Sequence, residues 1–438
     1  MSMVNAFTAE DFARLGPAER NLIERRERVL GTAYRLFYER PLHVVRGEGV
    51  WLFDADGNRY LDVYNNVASM GHCHPRVVEA VRAQTGILNT HTRYLHETIV
   101  AYAEALTATF PAPLSQAMFT CTGSEANDLA VRIARHVTGG TGIIVTELAY
   151  HGLTSAVAEF SPSLGEHVAL GPHVRTVPAP DSYRQNPANA AERFGGHVRG
   201  AIADLKRHGI KPALFIADAI FSSDGIFAEP AGFLKPAVDA IHEAGGLYVA
   251  DEVQPGFGRT GDAMWGFERH GVEPDIATIG KPMGNGYPIA GIVARPNILE
   301  EFGRQARYFN TFGGNPVAAA AGMAVLETIR DEDLQRNAAE VGLHLRRALA
   351  ELAERFAQIG DVRGAGFFIG VEVVWDRATR QPDAATTSRI VNGLRERRVL
   401  ISASGPGANV LKIRPPMVFS KDDADTFVEA LGDTLDAL

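Results

Sequence analysis

Lysine occurs only at Lys206, Lys211, Lys235, Lys281, Lys412 and Lys421, in a chain whose other basic residues are all arginine. Only lysine among them carries a primary amine that can condense with a carbonyl. Lys281 stands out because it sits in Gly280-Lys-Pro-Met-Gly-Asn-Gly286, directly after the apolar run Asp275-Ile-Ala-Thr-Ile279, where the glycines force the backbone to turn. A nucleotide-binding lysine would follow a glycine-rich spacer and precede Ser or Thr, and this one does neither. Two carboxylates, Asp251 and Glu252, end the run Leu247-Tyr-Val-Ala250. An aspartate at the end of a buried run asks for a cation, either an arginine or a protonated ring nitrogen. Thr122-Gly-Ser-Glu-Ala-Asn127 follows Ala117-Met-Phe-Thr-Cys121 and opens a helical pattern. Ser124 taken alone is an ordinary helix cap, but Gly123 and Ser124 at a helix start also suit a phosphate. Tyr150-His151-Gly152 follows Gly142-Ile-Ile-Val-Thr146, and a planar ring can stack on Tyr150.

These residues share one kind of position. The runs 117–121, 142–146, 213–217, 247–250, 275–279 and 289–293 are short and apolar, alternating with helical patterns such as Glu125 to His136 and Leu234 to Ala244. Such alternation predicts a mainly parallel sheet covered by helices, with ligands at the carboxyl ends of its strands. A phosphate cup, a stacking ring, a carboxylate for a ring nitrogen and an amine for an aldehyde are what pyridoxal 5'-phosphate requires.

The flanks differ. Trp51-Leu-Phe53, the turn Asp56-Gly-Asn58 and Tyr60-Leu-Asp-Val63 predict a hairpin. The C-terminal part predicts a long helix from Asp331 to Arg355, strands over 366–374 and 410–413, and a closing helix from Asp422. Pro178 to Asn189 predicts an irregular loop. The expected division is an N-terminal segment, 1–60, joining the small domain, a large α/β domain over 61–320, and a small α+β domain over 321–438.

Gly123-Ser-Glu-Ala-Asn127, Asp251-Glu-Val-Gln-Pro-Gly-Phe-Gly-Arg-Thr-Gly261 and Pro274-Asp-Ile-Ala-Thr-Ile-Gly-Lys-Pro-Met-Gly-Asn-Gly286 resemble the class III aminotransferases of the pyridoxal-phosphate fold type I, from about Pro41 to the C-terminus. The resemblance implies that Lys281 carries the cofactor, that Asp251 holds its ring nitrogen and Gln254 its 3'-oxygen, and that Tyr150 stacks on the ring, with His151 beside it. It puts Gly123 and Ser124 on the phosphate. It further implies a homodimer in which Thr311 reaches the cofactor phosphate of the other subunit. Tyr64-Asn-Asn-Val-Ala68, Gly71-His-Cys-His-Pro75, Thr92-Arg-Tyr-Leu-His96, Asp361-Val-Arg-Gly364 and Leu411-Lys-Ile-Arg-Pro-Pro-Met417 resemble a narrower branch, the ethanolamine-phosphate and hydroxylysine-phosphate phospho-lyases. Alanine–glyoxylate aminotransferases share part of that pattern.

The expected reaction is elimination of phosphate from a phosphorylated primary amine, with transamination as the alternative. Arg414 is the first candidate for the leaving phosphate, because a guanidinium offers paired, fixed donors. Arg93 and Lys412 are weaker candidates, each expected to be a solvated surface charge. His72-Cys73-His74 lacks a second ligand cluster, so no metal is expected.

Composition narrows the field further. Among 438 residues, 43 basic and 52 acidic side chains leave a net charge of -9, which disfavours nucleic acid or an anionic membrane as partner. Cys73 and Cys121 are too few for a disulfide framework, and the longest apolar stretch, Val317 to Leu326, is too short to span a bilayer. A cytoplasmic enzyme is expected.

Overall fold

The computed structural model describes residues 5–438. Its centre is a seven-stranded sheet in the order Gln116–Thr120, Ala290–Ala294, Ile276–Ile279, Leu247–Asp251, Pro212–Ala217, Gly142–Thr146, Val174–Val177. All six predicted runs are strands. The seventh, Val174–Val177, lies at the edge and mixes Arg175 and Thr176 into its four residues, which hides it from an apolar-run criterion. Ala290–Ala294 alone runs antiparallel to both its neighbours. Only residues 280–289 join it to the preceding strand, too few for the crossover helix that a parallel return needs. The Lys281 turn follows Ile276–Ile279, which is parallel to Leu247–Asp251, and so lies at the carboxyl ends of the strands.

Helix Gly123–Thr138 starts where Gln116–Thr120 ends. Thr122 caps it by accepting the Glu125 amide at 3.1 Å, and Gly139 in the left-handed region stops it. Ala126, Leu129, Ala130, Ile133 and Ala134 form its buried face against the sheet. The predicted helix from Asp331 to Arg355 is present as Leu334–Arg355. Two helices, Pro316–Asp331 and Leu334–Arg355, meet at Asp333, whose φ of 53° breaks the helical path. Asn315 caps the first of them through the Ala318 amide, so the apolar stretch from Val317 is helix interior.

The hairpin Trp51–Asp54 and Arg59–Asp62 is present, with Val44–Glu48 added on one side. Val399–Leu400 joins its other side in parallel, beside Arg59–Asp62. A second sheet, in the order Ile359–Ala365, Phe368–Val373, Val410–Ile413, Ser402–Ser404, is antiparallel throughout. The Arg414 amide donates to the Val63 carbonyl at 2.9 Å, so the end of the hairpin meets the end of the Val410–Ile413 strand. No helix among the described residues is long and apolar enough to cross a membrane.

His270 gives this core a pH dependence. It is buried against Phe233, its Nε2 donates to the Ala219 carbonyl at 2.8 Å, and its Nδ1 accepts the Gly232 amide. Both nitrogens are thereby committed to the neutral ring, and burial pushes its pKa down to about 4. The unfolded ring titrates near its ordinary value of 6.5. Stability from this group is therefore complete above that value and is lost as the pH falls toward 4, by about 3 kcal/mol. Denaturation midpoints measured across this interval should fall with acid, and His270→Gln should flatten the fall. An unchanged acid slope in the variant would show that other groups govern it.

Candidate active site

The carboxyl ends of the strands enclose a cavity of about 310 Å³ whose lining includes Gly123, Ser124, Tyr150, His151, Asp251, Gln254 and Lys281. Six of the predicted positions come from three different strand ends, and Lys281 comes from the tight turn before the reversed strand. Its φ of 28° is strained for a side-chain-bearing residue, a cost that recurs at functional positions. Burial and the nearby Arg414 hold the Lys281 amine below its ordinary pKa, while Asp251 and Asp218 oppose the shift.

Asp251 is buried at the end of its strand. Its Oδ2 accepts from His151 Nδ1 at 2.7 Å and from Asn127 Nδ2 at 3.0 Å, and its Oδ1 accepts the Val253 amide at 3.1 Å. His151 Nε2 is buried without a partner. Glu252, the neighbouring carboxylate, turns into the core and accepts the Gly266 and Phe267 amides at 2.7 and 2.9 Å. Burial nevertheless raises it to about 8. It braces the fold, while Asp251 serves the cavity.

At the other end of the cavity, the Ser124 hydroxyl accepts two amides, from Leu153 at 2.8 Å and Thr154 at 3.0 Å. With its lone pairs so used, its proton is free to donate outward. The amides of Gly123 and Ser124 lie in the first helical turn, where no intrahelical acceptor exists. Gly152 approaches so closely that a Cβ there would stand 2.4 Å from Ser124 Oγ. These are the features of an anion cup.

A second cavity of about 440 Å³ adjoins the first, with Lys281 and Val67 lining both. Arg414, Tyr64, Asn66 and Asp62 are among its walls. The Arg414 guanidinium lies 4.3 Å above the Tyr64 ring and donates to Gln254 Oε1, which also accepts from Asn66 Nδ2 at 3.0 Å. Gln254 thus ties the Arg414 chamber to the Lys281 cavity.

One expectation is placed differently. Lys412 is no surface charge: it is buried, its Nζ donates to the Ser222 carbonyl at 2.9 Å, and burial drives its pKa well down. It sits inside the Val410–Ile413 strand, and its ammonium group lies between the Phe368 ring, 5.5 Å away, and the Ser222 carbonyl that follows the Pro212–Ala217 strand. Arg93 is exposed and lies 3.8 Å over the Phe309 ring, lining a separate cavity of about 540 Å³. Thr311 is exposed and outside the Lys281 cavity, beside Asn310, which reaches Glu125 at 3.2 Å. His72 and His74 pair with Asp62 and Glu332, and no cluster of three metal-binding side chains exists among the described residues.

Sequence reasoning gives no role to Asn127, Asn66 or Asp218. Asp218 follows the Pro212–Ala217 strand and lines the Lys281 cavity, so the strand-end rule that singles out Asp251 reaches it too. Asn127 lies one helical turn beyond Gly123. For Asn66 no signal exists, because its partner Gln254 is distant in sequence.

The family model for class III aminotransferases matches residues 37–435. The chain belongs to that family. An alanine–glyoxylate aminotransferase 2-like protein of Drosophila melanogaster is 41% identical over 431 residues, covering 95% of this chain and 87% of that one. An ethanolamine-phosphate phospho-lyase homolog of Caenorhabditis elegans is 35% identical over 438 residues, covering 95% and 94%. Among solved structures, a phospholyase from Arthrobacter in complex with phosphoethanolamine superposes with a TM-score of 0.92 at 44% identity, covering 95% of this chain and all of that one. The fold is that of the pyridoxal-phosphate fold type I, and pyridoxal 5'-phosphate is the cofactor. The site fits that group. The outward Ser124 hydroxyl and the Gly152 cradle suit its phosphate, the orphan His151 Nε2 leaves a donor or acceptor for it, and Asp251 retains lone pairs for a ring N–H.

Proposed function

We propose that this enzyme is a phospho-lyase that eliminates phosphate from a phosphorylated primary amine, with O-phosphoethanolamine as the substrate that fits best. The observation that carries the reading is Arg414: buried, hydrogen-bonded to a glutamine instead of a carboxylate, and in a chamber that shares Lys281 with the cofactor cavity. A guanidinium held by a glutamine and an aromatic ring keeps donors available for an incoming oxyanion. The phosphoethanolamine-bound Arthrobacter relative supports the same substrate class.

When bound, pyridoxal phosphate supplies an aldehyde for the substrate amine and a protonated ring that withdraws electrons from the adjacent carbon. Gly123 and Ser124 would hold its phosphate, Tyr150 its ring face, and Asp251 its ring nitrogen. Lys281, low in pKa through burial and Arg414, is suited to take the proton from the carbon bearing nitrogen. Arg414 holds the phosphate as its bond to the next carbon breaks. With one water consumed, phosphoethanolamine becomes acetaldehyde, ammonia and phosphate.

The name of the Drosophila relative favours a second reading, transamination to pyruvate or glyoxylate, which shares the proton removal by Lys281. Phosphoethanolamine supplied to the holoenzyme without any keto acid should give phosphate and acetaldehyde in equal amounts over many turnovers. Absence of phosphate, with alanine formed from an amine donor and pyruvate, would establish the transaminase instead.

The same reading includes a homodimer. Ile87, Leu88, Tyr94, Leu95 and Phe312 are large, apolar and exposed, in the segments that carry Arg93 and Thr311. Covering those segments with a second copy would give Thr311 of the partner subunit access to this chain's cofactor phosphate. Two unpaired cysteines support a reducing compartment, the cytoplasm.

A further inference from the structure

Arg259 is fully buried, yet no carboxylate lies within ion-pair distance of it among the described residues. Its Nη1 donates to the Phe367 and Pro415 carbonyls at 3.2 and 2.7 Å, its Nη2 donates to Ser69 Oγ at 2.9 Å, and its Nε has no partner. A buried cation satisfied only by neutral oxygens is an expensive arrangement. Asp62 is the carboxylate whose field reaches it, but that side chain is engaged by the Tyr64 and Asn65 amides and by His72. Burial and the Arg414 charge push Arg259 down to about 9, so it remains a cation at neutral pH.

Two of the three segments that Arg259 ties together lead into the substrate chamber. Pro415 follows Arg414 directly. Ser69 belongs to the loop after Tyr64 and Asn66, and its carbonyl accepts the Met417 amide at 2.6 Å. Arg414 is itself without a carboxylate partner among the described residues, and Lys412, two residues earlier, is held by a carbonyl. The nearby carboxylates have neutral donors instead: Asp218 accepts from Ser222, and Asp224 accepts from Thr146 and the Leu148 amide. Among the described residues no ion pair therefore ties Arg414, Arg259 or Lys412 to a carboxylate, and the negative field at Arg259 comes only from Asp62 at longer range.

We propose that Arg259 is a positioning residue whose unpaired buried charge, set behind Arg414 through Pro415, makes the substrate chamber select a doubly charged anion over a singly charged one. The inference deepens the lyase reading and rests on it, because it names what distinguishes a phosphate ester from a carboxylate. Coulomb energy is linear in ligand charge, so a dianion gains twice the free energy that a monoanion gains from the same fixed charge. The corresponding factor in affinity is squared. A buried charge is also weakly screened, so added salt leaves the preference in place.

Inorganic phosphate, at a pH where it is doubly charged, and acetate are the probes, and their dissociation constants for the holoenzyme are measured by calorimetry. If Arg259→Met weakens acetate about threefold, it should weaken phosphate about tenfold, the square of that factor. Arg259→Lys, which keeps the charge, should recover most of the difference. Equal losses for the two ions would reduce Arg259 to packing and overturn the proposal, as would no loss for either. Should neither variant fold, the native enzyme decides: phosphate bound at least about tenfold more tightly than acetate in high salt sustains the selectivity, and equal affinities remove it. Retained selectivity without phosphate release from phosphoethanolamine would sink the lyase reading alone.

Discussion

Lys281→Ala is expected to lower turnover at least about 10³-fold while leaving the melting temperature nearly unchanged. The side chain is the one amine in the lining of the cavity, and the same residue lines the chamber of Arg414. Every route open to the site, elimination or transamination, needs a base at that boundary. The fold does not need it. Among the described residues Lys281 makes no ion pair, and its buried amine costs desolvation that alanine relieves. Lys281→Arg is the stricter test, because a guanidinium retains the charge but neither condenses with an aldehyde nor gives up its proton near neutral pH. Phosphate release and acetaldehyde formation are measured for both variants, with thermal melts alongside. Turnover within about tenfold of the native enzyme in either variant would assign the base elsewhere, with Asp218 the first alternative.

The elements that position this lysine are largely legible in the sequence, for a reason particular to the fold. Strands buried on both faces are continuous apolar runs, and the residues after them fall at one sheet edge. The pattern of runs alone therefore brings Asp251, Ser124, His151 and Lys281 together. The same logic fails for residues inside strands. Lys412 reads as a solvated charge because lysine usually is one, and nothing local announces that the Ser222 carbonyl, distant in sequence, meets its ammonium group. Contacts across long separations are equally hidden. The Arg414–Gln254–Asn66 linkage joins three segments, and the pairing of Val399–Leu400 with Arg59–Asp62 sets their meeting point. Arg93 and Thr311 lie apart from Lys281 in the single chain, so their proposed roles depend on a second copy.

Asp251 carries the second large effect. Asp251→Asn keeps the size of the side chain and removes its charge, and turnover should fall about 10²- to 10³-fold with only a small change in melting temperature. Three donors converge on this carboxylate, from His151, Asn127 and the Val253 amide. An asparagine amide offers one acceptor oxygen in place of two, so at least one of the three loses its partner, at about 1–3 kcal/mol. That loss bears on stability and is tolerable for a chain with so large a core. The catalytic loss has another origin. A carboxylate keeps a ring N–H protonated across the neutral range, whereas a neutral amide leaves that proton to be lost to solvent, and with it the electron withdrawal that makes the substrate carbon acidic. Asn127→Ala separates the two effects. It removes one hydrogen bond to Asp251 but leaves the charge in place, so turnover should fall less than about tenfold while stability drops comparably. A drop as large as that of Asp251→Asn would mean that orientation of the carboxylate, rather than its charge, limits the reaction.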